Sequence, residues 1–183
     1  MKNRMAKLLL FIILALTLQP ADSGSERYLT WAAEEKLSWN DFMGDPDIST
    51  EMKAHTNSKL KFRWTCDNNK LNFTVSASFD RHTSWKKADV TDHLLAHEQL
   101  HFDITELYAR KLRKAVLELE NPCVLPGADL KALAKTFHIA WKEREEAYDM
   151  ESDHSMDLVV QAEWAAMIAK ELEALSAFAG KQE

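Results

Sequence analysis

Apolar and polar residues alternate along two stretches in the first half of the chain. Leu60, Phe62 and Trp64 alternate with basic residues, and residues 71–79 alternate five apolar with four polar side chains. A period of two places one set of side chains on the buried face of a β-strand. The letters CDNNK at residues 66–70 are typical of a turn. The pattern therefore predicts an antiparallel hairpin.

In the second half, apolar residues are spaced three or four apart, which is the spacing of an amphipathic helix. It predicts a first helix over residues 91–120, ended by an Asn-Pro pair. A second helix follows a Pro-Gly pair and reaches about Tyr148, and a third covers residues 156–178. The predicted fold class is α+β, with a small antiparallel amino-terminal sheet followed by three main helices.

A short helical turn is predicted ahead of the hairpin. Ser38 or Asn40 would cap this turn, and a Gly-Asp-Pro sequence would end it. Trp39 and Phe42 are three residues apart, so we expect both to anchor the turn to the core.

Residues 1–23 have the layout of a secretory signal peptide. Three basic residues precede an apolar run of 11 residues from Leu8 to Leu18, and small and polar residues follow. The run is too short to span a bilayer comfortably, since a spanning helix needs about 20 apolar residues. Cleavage after Ala21 or Ser23 would leave a single domain at residues 24–183, and an uncleaved anchor is the alternative. We therefore expect a secreted or periplasmic protein without a stable membrane span.

The net charge and the cysteines agree with export. The chain has a formal net charge of −6. Removing residues 1–23 takes away three basic residues and one acidic residue, which leaves −8. An acidic protein without a basic block argues against nucleic-acid binding. Cys66 and Cys123 are the two cysteines, and an oxidising compartment favours a disulfide between them, with two separate thiols as the alternative.

The strongest chemical signal is the run HEQLH at residues 97–101 of the first predicted helix. His97 and His101 are four residues apart, so both imidazoles project from one helix face and can bind one metal ion. Glu98 lies about 100° around the helix, at the edge of that face. This arrangement is typical of catalytic zinc sites, in which a glutamate accepts the proton of a zinc-activated water. We expect His97 and His101 to bind Zn²⁺ and Glu98 to act as general base.

Three neighbouring residues are weaker candidates. His93 lies one turn before His97, but Leu94 follows it instead of a glutamate, so this register lacks a base. His93 is either a residue at the mouth of the site or a plain surface histidine. Asp103 and Glu106 point about 140° and 160° away from the middle of the two-histidine face, which excludes them as zinc ligands.

A catalytic zinc takes three protein ligands and one water, so a third ligand is needed. Residues 148–154, with the letters YDMESDH, concentrate coordinating groups between the second and third predicted helices. His154 is the first choice for the third ligand and Glu151 the second. Tyr148 is placed to donate a hydrogen bond to a developing oxyanion. The alternative is that these residues form an ordinary solvated turn.

These motifs resemble a bacterial family of predicted secreted zinc-dependent proteases. The likeness lies in residues 94–110 around HEQLH, in residues 37–44 (LSWNDFMG) and in residues 148–154 followed by Gln161 and Trp164. The motifs occur in the same order and cover most of the mature chain. The chain differs at Leu100, where glycine is frequent in such motifs, and this change removes no ligand. The resemblance implies a zincin-like fold and peptidase activity.

The resulting hypothesis is an exported HExxH-type zinc metallopeptidase that acts on a peptide or protein substrate. In zincin-like peptidases an edge strand beside the zinc helix pairs with an extended substrate. The predicted strand at residues 71–79 is the candidate for this edge, and residues 80–85 would line the cleft or form a plain surface loop. Two alternatives stay open: a non-catalytic, zinc-stabilised binding or assembly module of the envelope, and a metal-dependent cell-wall amidase.

Overall fold

The computed structural model describes residues 27–125 and 127–180. Within these residues the chain forms two small antiparallel sheets and three main helices, which confirms the predicted α+β class. The strands and helices are β1 (Tyr28–Thr30), β2 (Ala54–His55), β3 (Ser58–Asp67), β4 (Lys70–Asp80), β5 (Trp85–Lys86), α1 (Asp92–Leu117), α2 (Gly127–Glu151) and α3 (Leu158–Ala174). The predicted signal peptide at residues 1–23 lies outside the described residues.

The predicted hairpin is formed by β3 and β4. Their register runs from Ser58 opposite Phe79 to Asp67 opposite Lys70. Asn68 and Asn69 connect the strands, both with positive φ (50° and 60°). This is the backbone of a two-residue turn, and asparagine tolerates it better than most residues.

The predicted role of residues 71–79 as an edge strand is wrong. β1 pairs with the end of β4, with Tyr28 opposite Asp80 and Thr30 opposite Ser78, so the sheet order is β1-β4-β3. β4 is therefore the central strand of this sheet. The short strand β1 was missed because three residues are too few for the period of two to be recognised.

The second sheet consists of β2 and β5, with two residues each. Gly44 forms a bridge to Trp85 beside it. A Cβ atom at Gly44 would lie 2.9 Å from the Ser84 carbonyl oxygen, so only glycine allows this close approach. The sheet is thereby joined to the predicted short turn, which is a 3₁₀ helix at Trp39–Asp41.

Aromatic packing joins this turn to the sheet and to α1, as predicted for Trp39 and Phe42. The Phe42 ring lies 4.9 Å from that of Trp39 and 5.0 Å from that of Phe79. Phe79 is in turn 5.8 Å from Phe102 of α1. The buried cluster around them is Leu37, Phe42, Val75, Ala77, Phe79, Phe102, Ala109, Leu112 and Val116.

A second buried cluster lies where α1 packs against α2 and α3. It consists of Leu100, Ile104, Leu107, Trp141, Tyr148, Trp164 and Ile168. α1 is therefore covered by the sheet on one side and by two helices on another. This burial holds the HEQLH segment in a fixed orientation.

The predicted disulfide between Cys66 and Cys123 is present, with the two Cα atoms 5.7 Å apart. It joins the tip of the β3–β4 hairpin to the segment between α1 and α2. No helix among the described residues is long and apolar enough to cross a membrane.

Candidate metal centre

The HEQLH motif lies in the first half of α1, which begins after its capping residue Thr91. The Thr91 hydroxyl accepts a hydrogen bond from the Leu94 amide, an amino-terminal cap of the expected kind. His97 and Glu98 are buried, each 4% exposed. The two imidazoles of His97 and His101 lie on one face, as predicted, with their Nε2 atoms 3.3 Å apart.

Asp149 of α2 completes a cluster of three donor atoms. Its Oδ1 lies 3.1 Å from His97 Nε2 and 2.9 Å from His101 Nε2. Among the described residues, this is the group of histidine and acidic side chains whose ligand atoms converge closely enough to bind one ion. The corners of a tetrahedron with arms of about 2.0–2.1 Å lie about 3.3–3.4 Å apart. The observed separations are thus close to those around a tetrahedral ion.

The predicted third ligand needs correction, because Asp149 joins the two histidines and His154 does not. α2 continues to Glu151, three residues beyond its predicted end, so Asp149 is held on the helix and faces α1. His154 follows the helix end; it lines the same cavity but is exposed. Glu151 accepts a hydrogen bond from the indole of Trp164 at 2.9 Å instead. The spacing of Glu145 and Asp149, one turn apart, was the signal that would have identified this face.

Burial and charge shift the pKa values of the cluster in opposite directions. Burial lowers the pKa of His101, but its hydrogen bond to Asp149 and the negative charges of Asp149, Glu145 and Glu98 outweigh this and raise it to about 9. Burial raises the pKa of Asp149, but hydrogen bonds from His101 and His97 hold it well below its usual range. Without a metal, the cluster therefore favours a protonated His101 paired with an ionised Asp149.

The buried carboxylate of Glu145 lies near the second ring nitrogen of His101. Glu145 Oε1 lies 3.9 Å from His101 Nδ1, on the side away from the donor cluster. The other oxygen of Glu145 accepts a hydrogen bond from Lys142 at 2.8 Å. At 3.9 Å Glu145 makes no hydrogen bond to His101, and its negative charge contributes to the raised pKa of that imidazole.

A hydroxyl network fixes the helices that carry these groups. Thr105 Oγ1 donates to the His101 carbonyl oxygen at 2.9 Å and accepts the indole N–H of Trp141 at 3.1 Å. The Ser58 hydroxyl of β3 lies 2.6 Å from Thr105 Oγ1. Thr105 thus links β3, α1 and α2 one helical turn from His101.

Tyr148 packs behind the two imidazoles. Its ring is stacked on His97 with centroids 4.6 Å apart and lies edge-on to His101 at 5.1 Å. The side chain is fully buried, and its hydroxyl has no hydrogen-bond partner among the described residues. Burial, followed by the charges of Asp149 and Glu98, raises the pKa of this phenol above its usual value. The predicted role as an oxyanion donor lacks the cavity exposure it requires, and we reassign Tyr148 as a packing residue that positions His97.

His93 anchors the segment after α2. Its Nε2–H donates to the Ser155 carbonyl oxygen at 2.6 Å, and its Nδ1 faces the Gln161 amide at 3.3 Å. Asp153, His154 and Ser155 all have positive φ (49°, 49° and 78°), a conformation that is costly for residues with side chains. His93 therefore holds this strained loop in place, and it does not line the cavity of the candidate centre.

The exclusion of Asp103 and Glu106 is confirmed, since both lie on other faces of α1. Asp103 accepts the indole N–H of Trp31 at 2.6 Å. Glu106 is buried between Arg110 and Arg113, at 3.0 and 2.9 Å. Neither carboxylate points toward the histidine cluster.

The cluster opens into a cavity of about 360 Å³ between α1, α2 and the segment around β2. Its wall consists of Met52, Lys53, Ala54, His55, Thr56, Leu94, His97, Glu98, His101, Lys142, Glu145, Glu146, Asp149 and His154. The Thr56 hydroxyl donates to the Glu98 carbonyl oxygen at 3.1 Å, which joins the segment around β2 to α1. β2, rather than β4, is thus the strand beside the candidate centre.

The sequence profile of a family described as "Bacterial protein of unknown function (DUF922)" matches residues 37–155. The match includes HEQLH and the segment that carries Asp149 and His154. No curated protein matches the chain, and no solved structure matches it. The description of this family names no activity.

Proposed function

Because the chain belongs to this bacterial family (DUF922), whose description names no activity, we propose its function from the site: a zinc-dependent hydrolase, specifically an exported metallopeptidase. The observation that carries the proposal is the convergence of His97 Nε2, His101 Nε2 and Asp149 Oδ1 within 3.3 Å of one another, beside Glu98 in one cavity.

The donor set fits zinc. Two imidazole nitrogens and one carboxylate oxygen form one of the ligand sets of catalytic zinc sites, which leave a fourth position open. His97, His101 and Asp149 would hold the ion. When bound, zinc would polarise a substrate carbonyl and lower the pKa of a water molecule. Nε2 of His97 is the nitrogen that converges with the other two donor atoms, whereas its Nδ1 is buried without a partner among the described residues.

Glu98 is the residue that would move the proton. It follows His97 directly in α1 and lines the cavity, although the residue is only 4% exposed. A carboxylate in this position accepts a proton from the attacking water and donates it to the leaving amine. Glu145 also lines the cavity, but it lies nearest Nδ1 of His101, the nitrogen outside the donor cluster, and it is paired with Lys142, so we assign the proton transfer to Glu98.

The strand β2 beside the cavity supports a peptide as substrate. β2 pairs with β5 along one edge only, and Ala54 and His55 of β2 line the cavity. An extended peptide could add to the second edge of β2 and present its carbonyl to the cluster, which is β-augmentation. An HExxH helix with a small sheet beside it is the arrangement of zincin-like peptidases, so we extend the proposal to a zincin-like fold.

Export is supported by the Cys66–Cys123 disulfide, which requires an oxidising compartment to persist. Residues 1–23, with the composition of a signal peptide, lie outside the described residues and give the second argument. We propose a secreted or periplasmic location on these grounds.

The decisive experiment compares Glu98→Gln with Glu143→Gln as a matched control. Glu143 is an exposed residue of α2 outside the cavity wall. Zinc content is measured by mass spectrometry, and hydrolysis is followed on a casein digest or peptide library. We expect Glu98→Gln to keep zinc and lose hydrolysis by at least about 100-fold, with the control unchanged. Equal activity of both variants would refute the mechanism.

Cobalt substitution tests whether the site is of the open, catalytic kind. The visible absorption of Co²⁺ reports the number and type of its ligands. We expect three protein ligands and an exchangeable fourth position, which added phosphate or hydroxamate would perturb. A spectrum insensitive to such additives would indicate a closed site with a structural role.

A further inference from the structure

A second cavity, which we call the α1–α3 groove, lies on the other side of α1. Its volume is about 710 Å³, within the roughly 300–1,000 Å³ of small-molecule sites. It is bounded by α1, α3 and residues 31–37. Gln99 and Asp103 line it, two residues beyond His97 and His101, which is about 200° around the helix. The proposed hydrolase makes no use of this groove.

The wall of the groove is mostly apolar. The apolar lining residues are Trp31, Ala33, Leu37, Leu95, Ala96, Leu100, Ala165, Ala169, Leu172 and Ala179. Ala165 and Ala169, one turn apart on α3, are both exposed, so this wall is open to a ligand from solvent. Such a surface binds an apolar body by removing it from water.

The groove is long. Its lining residues on α1 run from Asp92 to Arg110, which at about 1.5 Å per residue is about 27 Å. A hydrocarbon chain laid along α1 would therefore contact apolar side chains over much of its length.

One end of the groove carries a buried cation. Arg110 is 6% exposed and lines the groove. Its Nε donates to Glu106 at 3.0 Å and its Nη1 to the Leu172 carbonyl oxygen at 2.6 Å. Glu106 also pairs with Arg113, so this cluster of one buried carboxylate and two guanidinium groups has a net charge of +1 among the described residues. A buried charge without a full counter-charge favours an anion.

The acidic residues of the groove do not remove this preference. Asp103 is engaged by the indole N–H of Trp31 and by the Gln99 amide, at 2.6 and 2.8 Å, and Lys36 lies 3.7 Å away. Asp92 and Glu173 are exposed at the rim, where solvent screens their charge.

We propose that the α1–α3 groove binds a long-chain carboxylate. The alkyl chain would lie along α1 between the alanines of α3 and Leu95 and Leu100, and the carboxylate would face Arg110. Because residues 96–101 of α1 form part of both walls, a bound chain would lie against the helix that carries the metal-binding histidines.

Titration calorimetry with octanoate, decanoate and dodecanoate tests the site on the full-length mature chain, below the aggregation concentration of each acid. About 0.8 kcal/mol per buried CH₂ corresponds to roughly tenfold tighter binding for every two carbons. We expect one saturable site with this dependence on chain length. Absence of saturable binding, or an affinity independent of chain length, would overturn the proposal.

A matched pair of variants locates the site. Ala169→Phe fills the groove from the exposed face of α3, whereas Ala166→Phe makes the same change at an exposed alanine that does not line it. We expect dodecanoate affinity to fall at least tenfold in Ala169→Phe and to be unchanged in Ala166→Phe. Equal affinities in the two variants would place the ligand elsewhere and refute the assignment.

The preference for an anionic head group is tested with two analogues that have the same alkyl chain, neutral dodecanol and cationic dodecyltrimethylammonium. We expect dodecanoate to bind at least tenfold more tightly than either, because of the surplus charge at Arg110. If all three bind equally, the groove is an apolar site without anion recognition, and the proposed ligand class is wrong.

Discussion

The Oδ1 atom of Asp149 lies 2.9 Å from Nε2 of His101, although 48 residues separate them in the chain. The contact joins the carboxyl-terminal turn of α2 to the motif helix α1. It depends on α2 remaining helical through Asp149, because a helix that ended at Tyr148 would no longer hold the Asp149 side chain toward α1. The candidate metal centre is therefore a property of the packing between two helices, and the HEQLH motif supplies only part of it.

Replacing Asp149 tests this assignment against the alternative third ligand. We expect Asp149→Ala to weaken zinc binding by more than the roughly 10–100-fold typical of outer-shell partners, because it removes a ligand. His154→Ala is expected to retain full zinc content, since His154 lies at the exposed end of the cavity. Competition with a chelator of known zinc affinity measures both. Zinc loss in His154→Ala with retention in Asp149→Ala would reverse the assignment.

Tyr148→Phe separates packing from catalysis. The ring contacts with His97 and Trp164 remain in this variant, and only a buried, unpartnered hydroxyl is lost. We expect the free energy of unfolding to change by less than about 1 kcal/mol and activity to stay within a few-fold. Tyr148→Ala removes the ring and should cost about 3–5 kcal/mol in denaturant unfolding. A loss of 100-fold or more in Tyr148→Phe would restore the oxyanion role.

The metal-free protein should lose stability as the pH rises. The pKa of His101 is raised from 6.5 to about 9 in the fold. Its stabilising contribution is therefore complete below about pH 6.5 and is lost as the pH approaches 9. The lowered pKa of Asp149 acts in the opposite sense, because its contribution is present above about pH 4 and lost in more acidic solution.

We expect Tm in the presence of a chelator to fall between pH 6.5 and 9. With zinc bound it should hold or rise over the same range, because deprotonated imidazoles bind the metal. Scanning calorimetry at fixed ionic strength measures both curves, and His101→Gln is the control that removes the titrating group. A metal-free Tm that rises through this range would contradict the assigned pKa shift.

Removing the disulfide should lower stability without affecting the metal centre. Cys66 and Cys123 are 57 residues apart, and a loop of that length is worth about 3–4 kcal/mol. We expect the double variant Cys66→Ser, Cys123→Ser to lose this much in guanidinium unfolding and to bind zinc as the parent does. A strong loss of zinc affinity in the folded variant would show that the cross-link also positions α1 relative to α2.

The sequence predicts the strands and helices whose hydrophobic period extends over enough residues to be recognised. The 10- and 11-residue strands of the hairpin and the three helices all show clear periods, and the two histidines follow from a spacing of four. Helix geometry alone is enough to exclude Asp103 and Glu106. The Cys66–Cys123 pair is favoured by composition and by the signal-like amino terminus.

The remaining features depend on tertiary contacts. β1, β2 and β5 have only two or three residues, so no period reveals them, and β4 is mistaken for an edge strand as a result. Asp149 is missed because the end of α2 is placed at Tyr148, an error of three residues within the uncertainty of helix boundaries predicted from sequence. The α1–α3 groove depends on how α3 packs against α1, which the apolar stripes do not specify.

The position of the disulfide determines what a single proteolytic cut would do. Residues 117, 118, 120 and 121, between the end of α1 and Cys123, are exposed, as a protease requires. A cut there would produce one fragment with the sheet, His97 and His101 and another with α2 and Asp149. The Cys66–Cys123 bond would hold the two fragments in one covalent molecule. A nicked chain would thus keep all three donor atoms together, and the damage would become visible only on a reducing gel.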